Sequence, residues 1–323
     1  MNKILFQQVR RVRLPLLLTI VPGILGALVL IAQMSFLSEI VNRVFLLHRS
    51  LAQVGELLFL LLAAILLHAG LVWGREVMAR QAAIRVKAEL RERVFAYLLR
   101  LGPAYCKGEA TGELVNAVGE GIERLDAYVS RYLPQLAFSV LTPLLIITFI
   151  LSFDWLSALL LFITGPVIPL LMVLVGSYAE QHVQRQWLAL SRMSAHFLDA
   201  IQGLLTLELF GRSEAAGKRV ARVSDALRQR TLKMLRVAFL SGMVLEFMVA
   251  AAIGLVAVML GVRLLNDNIS FARAFLVLLL APEFYRPLRE LGIQRHAAME
   301  GKAALERINT ILETPAPCAE PQT

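Results

Sequence analysis

The 24 residues from Leu14 to Leu37 contain no charged side chain, and long apolar runs of this kind recur along the chain. A helix needs about 20 mainly apolar residues to cross roughly 30 Å of hydrocarbon. Runs that meet this need fall at 14–37, 54–74, 132–153, 155–176, 237–264 and 269–285. Between them lie stretches dense in arginine. Such segregation is what a lipid solvent imposes, because a charge at the bilayer centre costs about 2.5–3.5 kcal/mol even on the most lenient scale. The composition agrees: 58% hydrophobic, 18% charged, mean hydropathy +0.66. A soluble domain is roughly half apolar and about a quarter charged. The sequence therefore predicts an all-α membrane protein with six transmembrane helices. The third and fourth spans are separated only by Ser152, Phe153 and Asp154, so they form a tight hairpin.

Charge sets direction. Twenty-nine of the 33 Lys and Arg residues lie at the N-terminus, in 74–131, in 176–236 or beyond 281; only Arg43, Arg49, Arg263 and Arg273 fall on the opposite side. Lys and Arg accumulate in cytoplasmic segments, so both termini are expected in the cytosol. The net charge of +9 follows from this topology and from contact with anionic lipid. No nucleic-acid motif accompanies it, so no nucleic-acid partner is expected. Cys106 and Cys318 fall on the cytosolic side, where thiols stay reduced, and neither a CxxC pair nor zinc-type Cys/His spacing is present. The basic start MNKILFQQVRRVR precedes a run too long for the apolar core of a cleavable signal.

The two long cytosolic connections read as helices. From Val54 to Leu101 there is no proline, and apolar residues recur at helical spacing (Val77, Ile84, Val86, Leu90, Val94, Leu98) with Arg75, Arg80, Arg85, Lys87 and Arg91 on the other face. At 1.5 Å per residue this is a helix of about 70 Å, so the second span continues as a rod about 40 Å into the cytosol. Gly102 and Pro103 end it, and a return rod runs from Gly112 to Phe153. The design repeats from Trp155 to Phe210 and, after Gly211, from Ser213 to Leu264, with Pro166 and Pro169 bending the fourth span. Two helical hairpins with tips near 103–118 and 199–213 result.

Polar groups inside or beside the spans are the candidate solute contacts. Glu246 lies between Leu245 and Phe247 in the fifth span and reads either as a cavity or gating residue or as an acid paired with a neighbouring helix. His68 in the second span can make an interhelical hydrogen bond, bind an anion or ligate a haem iron. Arg75, Glu76, Glu283, Tyr285 and Arg286 lie near the inner surface, where snorkelling and ion pairing compete with cavity lining. Gln33 and Ser35 share the ambiguity, and the Met and Phe residues of the spans read as packing. No HExxH, GxSxG or GxxxxGK[ST] motif occurs. Gly211, Gly217 and Lys218 come nearest to the last, but Arg219 follows Lys218 and no strand precedes them. This stretch of sequence is not expected to bind ATP or to carry a catalytic site.

Gly112-Glu113-Leu114 followed by Asp126, and Ala200, Gln202 and Gly203 leading to Leu207-Glu208-Leu209-Phe210-Gly211, resemble the two coupling segments of type IV ABC exporters. Further strings resemble the CydD branch, one half of the heterodimeric CydDC exporters. They include Arg131-Tyr132-Leu133-Pro134-Gln135, Pro143-Leu144-Leu145-Ile146, His196-Phe197-Leu198-Asp199, Arg228-Gln229-Arg230-Thr231, Leu245-Glu246-Phe247 and Ala281-Pro282-Glu283-Phe284. The resemblance implies an exporter membrane domain over 1–313, with 314–323 as a Pro-rich linker toward an ATPase domain that would carry ATP and Mg. The segment Asn266–Ala274 looks short for the family. The resemblance implies a bacterial inner-membrane location and a CydC-like partner half. It implies export of small thiols, cysteine or glutathione, in support of cytochrome bd assembly. Haem handling, lipid or peptide export on the same fold, and a motor-less assembly scaffold are the other readings. For haem, His68 would be the axial ligand and Arg75 a propionate partner.

Overall fold

The computed structural model describes residues 3–108, 117–172, 174, 209–211 and 213–314. Among these residues every regular element is helical. Helix α1 spans Lys3–Val41 and ends in a π-helical turn, Asn42–Leu46; α2 spans Leu51–Gly108. Ala117–Gly121 is a π-helical turn that leads into α3, Ile122–Ala127. A second π turn, Tyr128–Tyr132, joins α3 to α4, Leu133–Leu151. Helix α5 spans Trp155–Thr164, α6 Ser213–Leu265 and α7 Phe271–Glu313. Contacts divide the chain into one unit of Met1–Gly165 with Ile253–Thr323 and another of Pro166–Ala252.

Among the described residues, five helical stretches are long and apolar enough to cross a membrane: Thr19–Leu46, Ala52–Gly102, Val118–Leu151, Trp155–Met172 and Gly242–Leu265. They match the first five expected spans, and the chain is a multi-pass membrane protein. The sixth run does form a helix, but α7 carries Arg273, Glu283 and Arg286 within its first 18 residues and is less apolar than the others. Pro282 does not end it: α7 continues for 43 residues through both Pro282 and Pro287. The prolines remove two helical N–H donors, and the carbonyl of Pro287 itself accepts a 2.9 Å hydrogen bond from Gln135 Nε2 of α4.

The extended second helix is present. Residues 51–101 of α2 measure about 75 Å at 1.5 Å per residue. Gly102 breaks it with φ +78°, a conformation costly for any residue with a Cβ. Helix then resumes as far as Gly108 rather than stopping at Pro103. The buried face of the rod also differs from the expected one. Ile84 is exposed, and Ala79, Ala82 and Ala83 are buried instead, because small side chains let neighbouring helices approach closely. Farther along, Leu90 and Val94 are buried as expected, Leu98 is half-buried, and Leu101 is buried as well.

The return rod, described from Ala117, is helical but twice loosened by π turns, which admit one extra residue each. The fourth span breaks into α5 and a second helical stretch, 167–172, across the turn at Gly165–Pro166, where a proline bend was expected. Gly165 sits against the Phe284 ring, and a Cβ there would lie 2.8 Å from Phe284 Cζ. In the other unit, Gly211 takes φ +63° and α6 begins at Ser213, as the sequence indicates. The expected tips fall largely within 109–116 and 175–208, outside the described residues, as does the expected linker beyond Thr314.

A third rod element was not legible beforehand. The last turns of α7 join α2 and α3 in a cluster of Leu90, Val94, Ile122, Leu125, Leu305, Ile308 and Ile311, with Leu98, Val118 and Leu312 at its margin. Full burial of each such side chain is worth up to about 1.5–3 kcal/mol. Lys87 ties α2 to α3 through Glu123 at 2.9 Å and Asp126 at 2.8 Å, and Arg91 adds a 2.8 Å contact to Glu123. Tyr97 donates its hydroxyl to the carbonyl of Thr314 at 2.7 Å, which fixes the end of α7 to the rod. At the far end of the same unit, Ser38 of α1 donates to the Ala272 carbonyl at 2.6 Å. In the α4–α5 turn, Asp154 pairs with Arg263 of α6.

Candidate functional site

Helices α1, α2, α4 and α7 surround a cavity of about 120 Å³, all within one unit. Glycine makes the space. Gly23 lies directly against the Phe138 ring, where a Cβ would overlap it, so α1 approaches α4 closely. One turn on, Gly26 faces the cavity; a Cβ there would sit 4.0 Å from both His68 Cδ2 and Leu71 Cβ. The polar lining then follows from helical spacing. His68 and Arg75 are seven residues apart on α2, and Glu283, Arg286 and Glu290 are three, four and seven apart on α7, so each set shares one face. Gln135 and Phe138 complete the wall from α4.

Charges in the cavity are unequally satisfied. Arg286 bridges two acids, with Nε 3.1 Å from Glu290 Oε1 and Nη1 3.4 Å from Glu283 Oε2. Arg75 is held differently. Its guanidinium lies 4.8 Å from the centroid of the Phe138 ring, a cation–π contact worth about 0.5–2 kcal/mol. Among the described residues no carboxylate hydrogen-bonds to it; Glu290 and Glu76 act on it only through space. His68 Nδ1 is 3.4 Å from Gln33 Oε1, a long contact, and the imidazole lies within the fields of Glu283, Arg286 and Arg75. The set amounts to two guanidiniums, two carboxylates and an imidazole around a small cavity that is open on the side of Arg286 and Glu290. It can hold a small polar solute by charge-assisted hydrogen bonds.

The structure thus brings together four of the residues singled out by sequence: His68, Arg75, Glu283 and Arg286. Tyr285 is placed elsewhere. It is fully buried, its hydroxyl is 2.6 Å from Thr164 Oγ1, and its ring packs edge-on to Phe284 at 4.9 Å, so it braces α7 against α5. Glu246 is exposed on α6 and belongs to the other unit. The expected coupling residues Gly112, Glu113, Leu114, Ala200, Gln202, Gly203 and Leu207 lie outside the described residues. Sequence reasoning missed Gly26, Gln135 and Glu290. Glu290 had a usable signal, since it repeats at seven residues from Glu283, whereas nothing local marks Gly26 among the glycines of α1.

Comparison with known proteins agrees with this architecture. The ABC transporter transmembrane region pattern matches residues 16–288. The Glutathione/L-cysteine transport system ATP-binding/permease protein CydD of Escherichia coli K12 is 38% identical over 310 residues, covering 93% of this chain and 52% of that protein. The CydC protein of the same description from Bacillus subtilis 168 is 35% identical over 315 residues, covering 98% and 55%. The transport ATP-binding protein AarD of Providencia stuartii is 38% identical over 300 residues, covering 90% and 51%. The chain spans about half the length of the curated relatives it matches. With a family match that runs from within α1 to the prolines of α7, and long helices that carry their apolar sequence out beyond the bilayer, the chain belongs to the ABC transporter transmembrane region family.

Proposed function

We propose that this chain is the membrane-spanning part of an ATP-driven exporter of small thiols, cysteine or glutathione, in a bacterial inner membrane. The observation that carries the reading is Arg75: a guanidinium in a membrane-domain cavity, seated on an aromatic ring and hydrogen-bonded to no carboxylate among the described residues. Such a group is free to receive the carboxylate of a solute. The names of the E. coli and B. subtilis relatives, glutathione and L-cysteine transport systems, support that solute class. The support for cytochrome bd assembly would follow from export of the reductant.

In this reading α7 supplies the sixth span, both termini are cytosolic, and the rods are levers. ATP binding closes two nucleotide-binding domains, whether continuous with this chain or separate, and the rod tips move with them. Residues 75–101 of α2 reach about 40 Å. The cluster around Val94 and Ile308 and the Tyr97–Thr314 hydrogen bond make α2, α3 and α7 move together. ATP shifts the inward–outward equilibrium only by its differential affinity for the two states. A second half-transporter, of the CydC type, would enclose the part of the solute that a cavity of this size leaves outside.

The test is ATP-dependent uptake of labelled glutathione, cysteine and haem into inverted vesicles containing the full transporter. Uptake of either thiol supports the proposal. ATP-driven uptake of haem alone, or of none of the three, overturns it.

A further inference from the structure

The cavity carries more information than one free cation. Its formal charges balance, with Arg75 and Arg286 against Glu283 and Glu290, and they are distributed asymmetrically. On one side Arg75 engages no acid directly among the described residues; on the other, two carboxylates share the single guanidinium of Arg286, at contacts of 3.1 and 3.4 Å. Two acids on one cation leave carboxylate oxygens with unfilled hydrogen-bonding capacity, since each ionised carboxylate has about four lone-pair sites. The cavity therefore offers a donor fork and an acceptor pair within about 120 Å³. That volume is below the roughly 300–1,000 Å³ of a pocket for a drug-sized ligand. It suits a head group rather than a whole tripeptide.

We infer that this cavity recognises the α-amino-acid head group of its solute, with Arg75 on the α-carboxylate and Glu283 and Glu290 on the α-ammonium. The inference rests on the reading of the chain as a thiol exporter and names what that site selects. A zwitterionic head adds no net charge to a balanced cavity. A lone carboxylate would leave the acid pair unanswered, and a lone ammonium would leave Arg75 unanswered. Free cysteine has such a head. Glutathione has the same one at its γ-glutamyl end, so one clamp accepts both while the thiol-bearing remainder extends out of the cavity. Gly26 keeps the clamp open, because any larger side chain there would project between His68 and Leu71.

The purified full transporter, reconstituted with its ATPase and partner half, tests this through ligand-stimulated ATPase activity and labelled glutathione uptake. The probes are L-cysteine, cysteamine, which lacks the carboxylate, and N-acetylcysteine, which lacks the ammonium. Half-saturation for cysteamine and for N-acetylcysteine is expected to lie at least about tenfold above that for cysteine, the loss of one charge-assisted contact. Arg75→Gln should abolish the preference for cysteine over cysteamine and keep that over N-acetylcysteine; Glu283→Gln with Glu290→Gln should do the reverse. The analogue series on the unsubstituted protein does not depend on how the variants fold. Equal half-saturation for all three probes, with glutathione still transported, overturns the clamp and leaves the exporter reading intact. Absence of stimulation and uptake for every thiol overturns both.

Discussion

Neutralising Asp154 should destabilise the membrane domain strongly for so small a change. This aspartate occupies the turn between α4 and α5, is 4% exposed, and receives two contacts from Arg263 Nη1, at 2.9 and 2.8 Å, and one from the Ser157 hydroxyl. It also stands at the N-terminus of α5, where a negative charge is favoured by the helix dipole. Removing one partner of a buried ion pair costs about 3–5 kcal/mol because the survivor is left uncompensated. The Arg263 side chain is 21% exposed, so water can partly answer it, and Asp154→Asn should fall near the low end, about 3 kcal/mol. For a chain of this length that corresponds to a drop of about 4–5 °C in apparent Tm. Arg263→Gln should cost a similar amount, and the double variant less than the sum. The pair also predicts a pH dependence. Burial pushes the Asp154 carboxyl up, but the hydrogen bonds from Arg263 and Ser157 outweigh it and hold it below the ordinary aspartate value of 3.8. Its contribution is therefore fully present above that value and lost as pH falls below it toward the folded pKa. Thermal melts of the detergent-solubilised protein and its three variants measure this. Additive losses, with coupling below about 0.5 kcal/mol, would refute the ion-pair argument.

Three further outcomes are expected. Gly26→Leu should fill the cavity and abolish solute uptake with little change in Tm, since Gly26 looks onto open space bounded by His68 and Leu71; uptake at the unsubstituted rate would mean that solute does not pass there. Gly301→Ala should destabilise by about 1–3 kcal/mol in the same melts, because the added methyl would lie 2.6 Å from Tyr128 Cβ and 3.3 Å from the Arg124 carbonyl oxygen; an unchanged Tm would refute that contact. Tyr97→Phe should remove one hydrogen bond, about 0.5–1.5 kcal/mol, and speed amide exchange selectively at the last turn of α7.

What the sequence made legible follows from the solvent. Lipid tolerates few charges and no unpaired backbone, so the existence and order of five spans could be read from residue type alone. The α2 rod was equally plain, because apolar spacing continues past the bilayer into Leu90, Val94 and Leu98. The α7 rod was not. Two prolines and three charges resemble a helix ending, and only the tertiary contact from Gln135 to the Pro287 carbonyl and the packing of Ile308 and Ile311 show why it continues. The burial of Ala82 and Ala83 in place of Ile84 is a consequence of helix approach, which pattern cannot specify. At the site, depth in a span identified His68, and a position beside the inner end of that span marked Arg75. The 100° step between neighbours on a helix separated Tyr285, which meets Thr164, from Arg286, which lines the cavity. Asp154 and Arg263 are 109 positions apart and carried no local mark.

The central claim is that Arg75 receives the carboxylate of an exported thiol. The most direct measurement is ATP-dependent uptake of labelled cysteine into inverted vesicles by the unsubstituted transporter, by Arg75→Gln and by Arg80→Gln, whose guanidinium is exposed and paired with Glu76 at 2.5 Å. Arg75→Gln should raise the cysteine concentration for half-maximal uptake by at least about tenfold, the worth of one charge-assisted contact. Arg80→Gln should leave that concentration unchanged. Equal behaviour of the two variants, with transport intact, would contradict the claim.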